Sequence, residues 1–124
     1  MASLILTIDD CQDHRLLMTS LLEILGYRSM DASEGTTALR LAQLHQPALI
    51  LLDICMPGLD GNTVVRLLKQ NAQTAAIPVV AVTAMVKRRE QFLADGFDDY
   101  LAKPYTIESL DHIIQRHLAI SQAT

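Results

Sequence analysis

The sequence predicts an α/β fold, a doubly wound parallel sheet of five strands with five helices over its two faces. Three observations point there. Short apolar runs alternate with longer amphipathic stretches five times along the 124 residues. The clearest runs are continuously apolar, as in strands buried on both faces. The connections are short, which suits successive βα units laid along one sheet.

In chain order, Leu4-Ile5-Leu6-Thr7-Ile8 is the first run and ends at Asp9 and Asp10. From Gln12 to Leu25, the residues Leu17, Leu21, Leu22 and Leu25 recur at helical spacing, and Gly26 follows where a left-handed cap would stop the helix. Tyr27 to Ala32 reads as a second strand, and Thr36 to His45 as a second helix closed near Pro47. Ala48-Leu49-Ile50-Leu51-Leu52 is the third strand, ending at Asp53. A loop with Pro57, Gly58 and Gly61 leads into a helix through Val64, Val65, Leu67 and Leu68. Pro78 opens the fourth strand, Val79-Val80-Ala81-Val82, which ends at Thr83. A helix from about Val86 to Asp95 stops at Gly96. Asp99 to Ala102 forms the fifth strand, ending at Lys103-Pro104, and Ile107 to Leu118 the last helix.

Composition narrows the function classes. Half of the residues are hydrophobic, enough for a substantial core and far from a disordered composition. The length suits one domain over residues 1–124. With 10 basic and 14 acidic residues interspersed, the net charge of -4 offers no broad basic patch for nucleic acid. Lys87, Arg88 and Arg89 form the only basic cluster and read as a solvated helix face. Two cysteines, Cys11 and Cys55, make no disulfide framework in a chain of this length, which fits a reducing compartment. Met1-Ala2-Ser3 lacks the charged and apolar parts of a signal peptide, and no run could span a membrane. A cytoplasmic protein without a membrane partner is expected.

The chemistry gathers at the strand ends. Asp9 and Asp10 follow the first strand, Asp53 the third, Thr83 the fourth and Lys103 the fifth. Ligands of open α/β sheets bind at the carboxyl ends of the strands, where strand order reverses, so these residues should converge. Three crowded carboxylates repel one another, and a divalent cation relieves them; Mg²⁺ takes one or two carboxylates with phosphate oxygens and water. Asp10 and Asp53 read as direct ligands, Asp9 as a helper through water, and the carbonyl of Cys55 as a further oxygen. Lys103 and Thr83 suit a phosphoryl group whose charge must be neutralised, and a carboxylate can be the nucleophile, Asp53 first among them. Taken singly, each acid would be a cap or a loop residue and Thr83 a strand-end hydroxyl. Together they occupy every strand end that such a site requires.

Those residues closely resemble response-regulator receiver domains. The matching segments are Ile8-Asp9-Asp10, Leu52-Asp53-Ile54-Cys55-Met56-Pro57-Gly58-Leu59-Asp60-Gly61, Val82-Thr83-Ala84 and Asp98-Asp99-Tyr100-Leu101-Ala102-Lys103-Pro104. The resemblance runs from about Leu4 to Leu118. It implies a flavodoxin-like sheet of order 2-1-3-4-5, phosphorylation at Asp53, and Mg²⁺ held by Asp9, Asp10, Asp53 and the Cys55 carbonyl. It further implies Lys103 paired with the phosphoryl group, a cis bond before Pro104, and Thr83 with Tyr100 as a switch pair. Taken alone, Tyr100 is a partly buried strand aromatic.

A two-component signalling switch follows as the expected function. The phosphoryl group would come from a sensor histidine kinase or histidine phosphotransfer protein. A changed surface of the fourth helix, fifth strand and last helix would bind a downstream protein, with no output domain following. The protein would catalyse only its own phosphorylation and dephosphorylation. Cys55, where many relatives carry a polar side chain, and Met85, at a position that can shape water access, suggest slow loss of the phosphoryl group. Rival readings are a receiver excised from a hybrid kinase, a degenerate receiver acting only as an interaction module, and a metal-dependent phosphohydrolase, for which no substrate pocket or separate acid or base is evident. His14, His45, His112 and His117 are scattered over the first, second and last helices without metal-ligand spacing and carry no assigned role.

Overall fold

The computed structural model describes residues 2–54, 60–84 and 89–122, with side chains as far as residue 118. Strands and helices alternate through it as β1 (Leu4–Ile8), α1 (Gln12–Ile24), β2 (Arg28–Ala32), α2 (Gly35–His45) and β3 (Leu49–Asp53). They continue as α3 (Gly61–Gln70), β4 (Val79–Thr83), α4 (Arg89–Asp95), β5 (Asp99–Ala102) and α5 (Ile107–Gln122). All neighbouring strands pair in parallel, in the order β2-β1-β3-β4-β5. The chain leaves β1 to one side for β2 and to the other for β3, so strand order reverses at β1/β3.

Apolar burial explains the layering. All five residues of β3 and of β4 are buried. On one face Leu6, Ile8, Leu52 and Ala81 meet Ala38 and Ala42 of α2, Val64 and Leu68 of α3 and Phe92 of α4. On the other, Ile5, Leu51 and Val82 meet Met18 and Leu22 of α1 and Leu110 and Ile114 of α5. Alternation along each strand sends successive side chains to opposite cores, which is why the runs are unbroken in sequence.

The ends of elements depart from expectation where backbone groups find local partners. Gly26 adopts a φ of 89°, and the N–H groups of Gly26 and Tyr27 donate back to the carbonyls of Glu23 and Leu22 at 3.0 and 2.9 Å. That closure draws Tyr27 into the helix stop, so β2 begins at Arg28. Asp60 caps α3, its Oδ1 accepting from the N–H of Asn62 at 3.1 Å and Oδ2 from the Thr63 hydroxyl at 2.7 Å. The helix therefore starts at Gly61. With neither glycine nor proline to stop it, α5 runs four residues beyond Leu118, to Gln122. The expected start of α4 at Val86 lies outside the described residues. Among the described residues no helix is long and apolar enough to cross a membrane.

Candidate functional site

Sheet register assembles the site. Ile8 lies opposite Leu52, so Asp9, one residue on, comes alongside Asp53. Asp53 lies opposite Val82, and Thr83 opposite Ala102, which brings Lys103 to the same edge. The N–H of Lys103 donates to the carbonyl of Thr83 at 2.8 Å and fixes that edge. The peptide bond between Lys103 and Pro104 is cis. A cleft of about 590 Å³ opens here, lined by Asp9, Asp53, Lys103 and Pro104 above apolar Leu17, Met18 and Leu51.

The acids are deeply set. Asp9 and Asp53 are 5% and 4% exposed, whereas Asp10 is only partly buried. Asp9, ranked behind Asp10 as a cation ligand from sequence, is thus the acid beside Asp53. Its Oδ1 accepts from the N–H of Cys11 at 2.9 Å, and its backbone carbonyl accepts from Arg15 Nη1 at 2.9 Å. Arg15 is tied in turn to Asp31 at 2.9 Å. Burial pushes the Asp9 carboxyl above its ordinary value, and the neighbouring charge of Asp53 adds to the rise; the Cys11 N–H opposes it.

The ammonium of Lys103 reaches across the cleft onto the Asp53 carboxylate. Thr83 is fully buried at the end of β4. Ala81 lies opposite Tyr100, so Tyr100 shares the face of the sheet on which Ala81 and Thr83 stand. Its ring is half-buried and stacks on Phe92 of α4, centroids 4.8 Å apart and planes inclined by 14°. The hydroxyl and the aromatic ring named as a pair from sequence thus occupy one face at adjoining levels.

Two expectations fall outside the described residues: the carbonyl of Cys55 as an oxygen ligand and the effect of Cys55 and Met85 on phosphate loss. Another is corrected. His14, given no role from its spacing, lines the cleft, with Nδ1 3.2 Å from Oδ2 of Asp9 and 3.8 Å from Oδ2 of Asp53. Helix α1 begins immediately beyond the β1 turn, and its first turn swings position 14 back over the acids. No ligand-spacing pattern contains a strand-end acid and a first-turn histidine, so only the closeness of Asp9-Asp10 to His14 in sequence could have hinted at it.

A second charged cluster was also not foreseen. Asp99 of β5, buried at 3% exposure, takes Nη1 of Arg116 and Nε2 of His117, each at 3.0 Å, with Arg89 Nη1 at 3.9 Å. Burial alone would raise its carboxyl. The hydrogen bonds from His117 and the Tyr100 N–H, with the charge of Arg89, outweigh that and hold it below the usual carboxylate value. Asp99 thereby ties α4, β5 and α5 together.

Crowded carboxylate oxygens make a hard donor set, the kind that suits Mg²⁺. One donor atom from each of Asp9, His14 and Asp53 lies within 4.8 Å of the other two. Fold and site define a small doubly wound module whose acidic pocket sits at the point where strand order reverses. Residues 5–115 match the response regulator receiver domain, and the chain belongs to that family, whose members serve two-component signalling. It is 42% identical over 106 residues to the response regulator PleD of Caulobacter vibrioides, covering 84% of this chain but 23% of PleD. The chain therefore spans about a quarter of that relative. Protein PilH of Pseudomonas aeruginosa is 36% identical over 117 residues, 93% of this chain and 97% of PilH. The receiver domain of the sensor histidine kinase PA1611 from P. aeruginosa PAO1, solved with a magnesium ion coordinated in its active-site cleft, superposes with a TM-score of 0.86. It is 30% identical and covers 96% of this chain and 99% of that one.

Proposed function

We propose that this receiver domain accepts a phosphoryl group on Asp53 from a phosphohistidine of a sensor kinase or phosphotransfer protein, and that the modification changes its binding to a downstream protein. One observation carries the reading: the ammonium of Lys103 and the buried carboxylate of Asp9 converge on Asp53 from separate strands. A carboxylate so placed is a nucleophile with one countercharge already in position and a second acid beside it to share a cation.

In the transfer, a carboxylate oxygen of Asp53 forms a bond to phosphorus as the phosphorus–nitrogen bond of the donor breaks, and the donor imidazole leaves with the bonding electron pair. Lys103 follows the charge from the carboxylate onto a phosphoryl oxygen, and the Thr83 hydroxyl donates to another. Asp9, Asp10 and Asp53, with the backbone oxygen of Cys55, would hold Mg²⁺. The bound ion neutralises charge on the transferring group and on the acids around it. The catalysis serves the protein's own modification and its reversal, so the protein is a switch rather than a turnover enzyme.

The readout runs through Thr83 and Tyr100. Movement of the hydroxyl toward the phosphoryl group opens space on the sheet face that Tyr100 shares, and the ring, held by Phe92, turns inward. The α4–β5–α5 surface then changes, which is where a protein target would bind.

Incubation with Mg²⁺ and a small acyl-phosphate donor tests this. One acid-labile phosphoryl group mapped by mass to Asp53, and absent from Asp53→Asn, is the expected result. Phosphoryl on another residue, or none with either the small donor or a competent phosphohistidine protein, overturns the assignment.

A further inference from the structure

His14 is a ligand-type side chain at the cleft that the phosphoryl chemistry leaves unused. Its Nδ1 stands 3.2 Å from Oδ2 of Asp9 and 3.8 Å from Oδ2 of Asp53. Donors bound to one cation at about 2.0–2.2 Å stand roughly 3–4 Å from each other. The two contacts of His14 already have that spacing. The imidazole side chain is 55% exposed while the two acids are buried, so a cation arriving from solvent meets nitrogen first and carboxylates behind it. Lys103 rests on the same Oδ2 of Asp53, so a cation there shares that oxygen with the ammonium, each carboxylate oxygen carrying two lone pairs, or displaces it.

The geometry points to His14 as a direct nitrogen ligand that makes this pocket a mixed nitrogen–oxygen site for a borderline divalent cation such as Zn²⁺. Imidazole suits zinc and its transition-metal neighbours, whereas Mg²⁺ keeps to oxygen ligands and water. This inference rests on the reading of the pocket as a cation site and adds a preference among cations. Zn²⁺ held by Asp9, His14 and Asp53 would compete with Mg²⁺ and slow phosphoryl acceptance. His14 thereby couples the switch to the availability of a second metal.

Nitrogen NMR of the His14 ring and calorimetry test it, with the intact protein titrated separately with Zn²⁺ and Mg²⁺. Zn²⁺ should shift the Nδ1 resonance of His14. His14→Ala and His14→Gln should each weaken Zn²⁺ binding by about tenfold or more, with Mg²⁺ affinity changed less than about twofold. A His14 resonance unmoved at saturating Zn²⁺ overturns the inference, as do equal losses for the two cations or no loss for either. Phosphoryl acceptance with Mg²⁺ is measured separately, on zinc-free protein from the same preparations. Normal acceptance there with a His14 silent to Zn²⁺ removes the zinc site alone, and failed acceptance there with a His14 that Zn²⁺ shifts removes the phosphoryl reading alone.

Discussion

The ammonium of Lys103 rests on the carboxylate of Asp53, fifty positions earlier in the chain. The Asp53 side chain is 4% exposed with Asp9 at its side, and Lys103, itself partly exposed, brings a countercharge to it from the far edge of the cleft. Breaking a buried pair costs more than the pair contributes, because the remaining charge stays desolvated.

Lys103→Ala should therefore lower stability by about 2 kcal/mol, a figure reduced from the fully buried case because the lysine is partly exposed. Urea unfolding without divalent cation measures it. Adding Asp53→Ala should recover part of the loss, with a coupling of roughly 1–2 kcal/mol in the double-mutant cycle. Strict additivity would mean that the contact contributes nothing.

Asp9 gives the opposite sign. Its folded pKa is raised above 3.8, so ionising it costs the folded state. The penalty is absent below that pH and is incurred as pH rises through the folded value. Asp9→Asn keeps an acceptor for the Cys11 N–H while removing the charge. In chelator at neutral pH it should stabilise the protein by roughly 1 kcal/mol. Mg²⁺ should raise the melting temperature of the wild type and have little effect on the variant. Equal responses of both proteins to Mg²⁺ would remove Asp9 from the cation site.

Gly61 holds the chain close beside the acceptor. A Cβ there would stand 2.5 Å from Cγ2 and 3.0 Å from Cα of Ile54, the residue after Asp53. Alanine must displace the backbone that carries the site, because Cα cannot step aside as a side-chain tip can. Gly61→Ala should cost about 1–3 kcal/mol and reduce the rate of Asp53 phosphorylation. An unchanged urea midpoint would show that the loop shifts freely.

Asp99 links stability to acid. Its folded pKa lies below 3.8, so ionised Asp99 contributes stability that is fully present above that value and lost as pH falls through the folded one. Against Asp99→Asn, the wild type should be more stable by about 2 kcal/mol at neutral pH. The gap should close as pH falls below 3.8. Melting temperatures across that range decide it, and a gap independent of pH would show that Arg89, Arg116 and His117 do not act through the charge.

Much of this protein was legible because its strongest signals are local. Unbroken apolar runs such as Leu49-Ile50-Leu51-Leu52 can be strands only where both faces are covered, and Gly26 and Gly96, at φ 89° and 108°, stop helices where the backbone turns left-handed. Strand ends are equally local, so Asp9, Asp53, Thr83 and Lys103 could be assigned to one edge once the strands were known. Boundaries were less legible, since they depend on which carbonyl captures the last N–H groups, as at Tyr27.

Taken by itself, the sequence determined the strand-and-helix alternation and the residue types that end each strand, because burial and backbone preference act over a few neighbouring positions. Tertiary structure alone decided that Asp9 lies deeper than Asp10, that His14 turns over the acids and that Asp99 gathers charges from two helices. Those relations depend on register and on the angle at which a helix leaves a strand. Both are set by packing between segments distant in the chain.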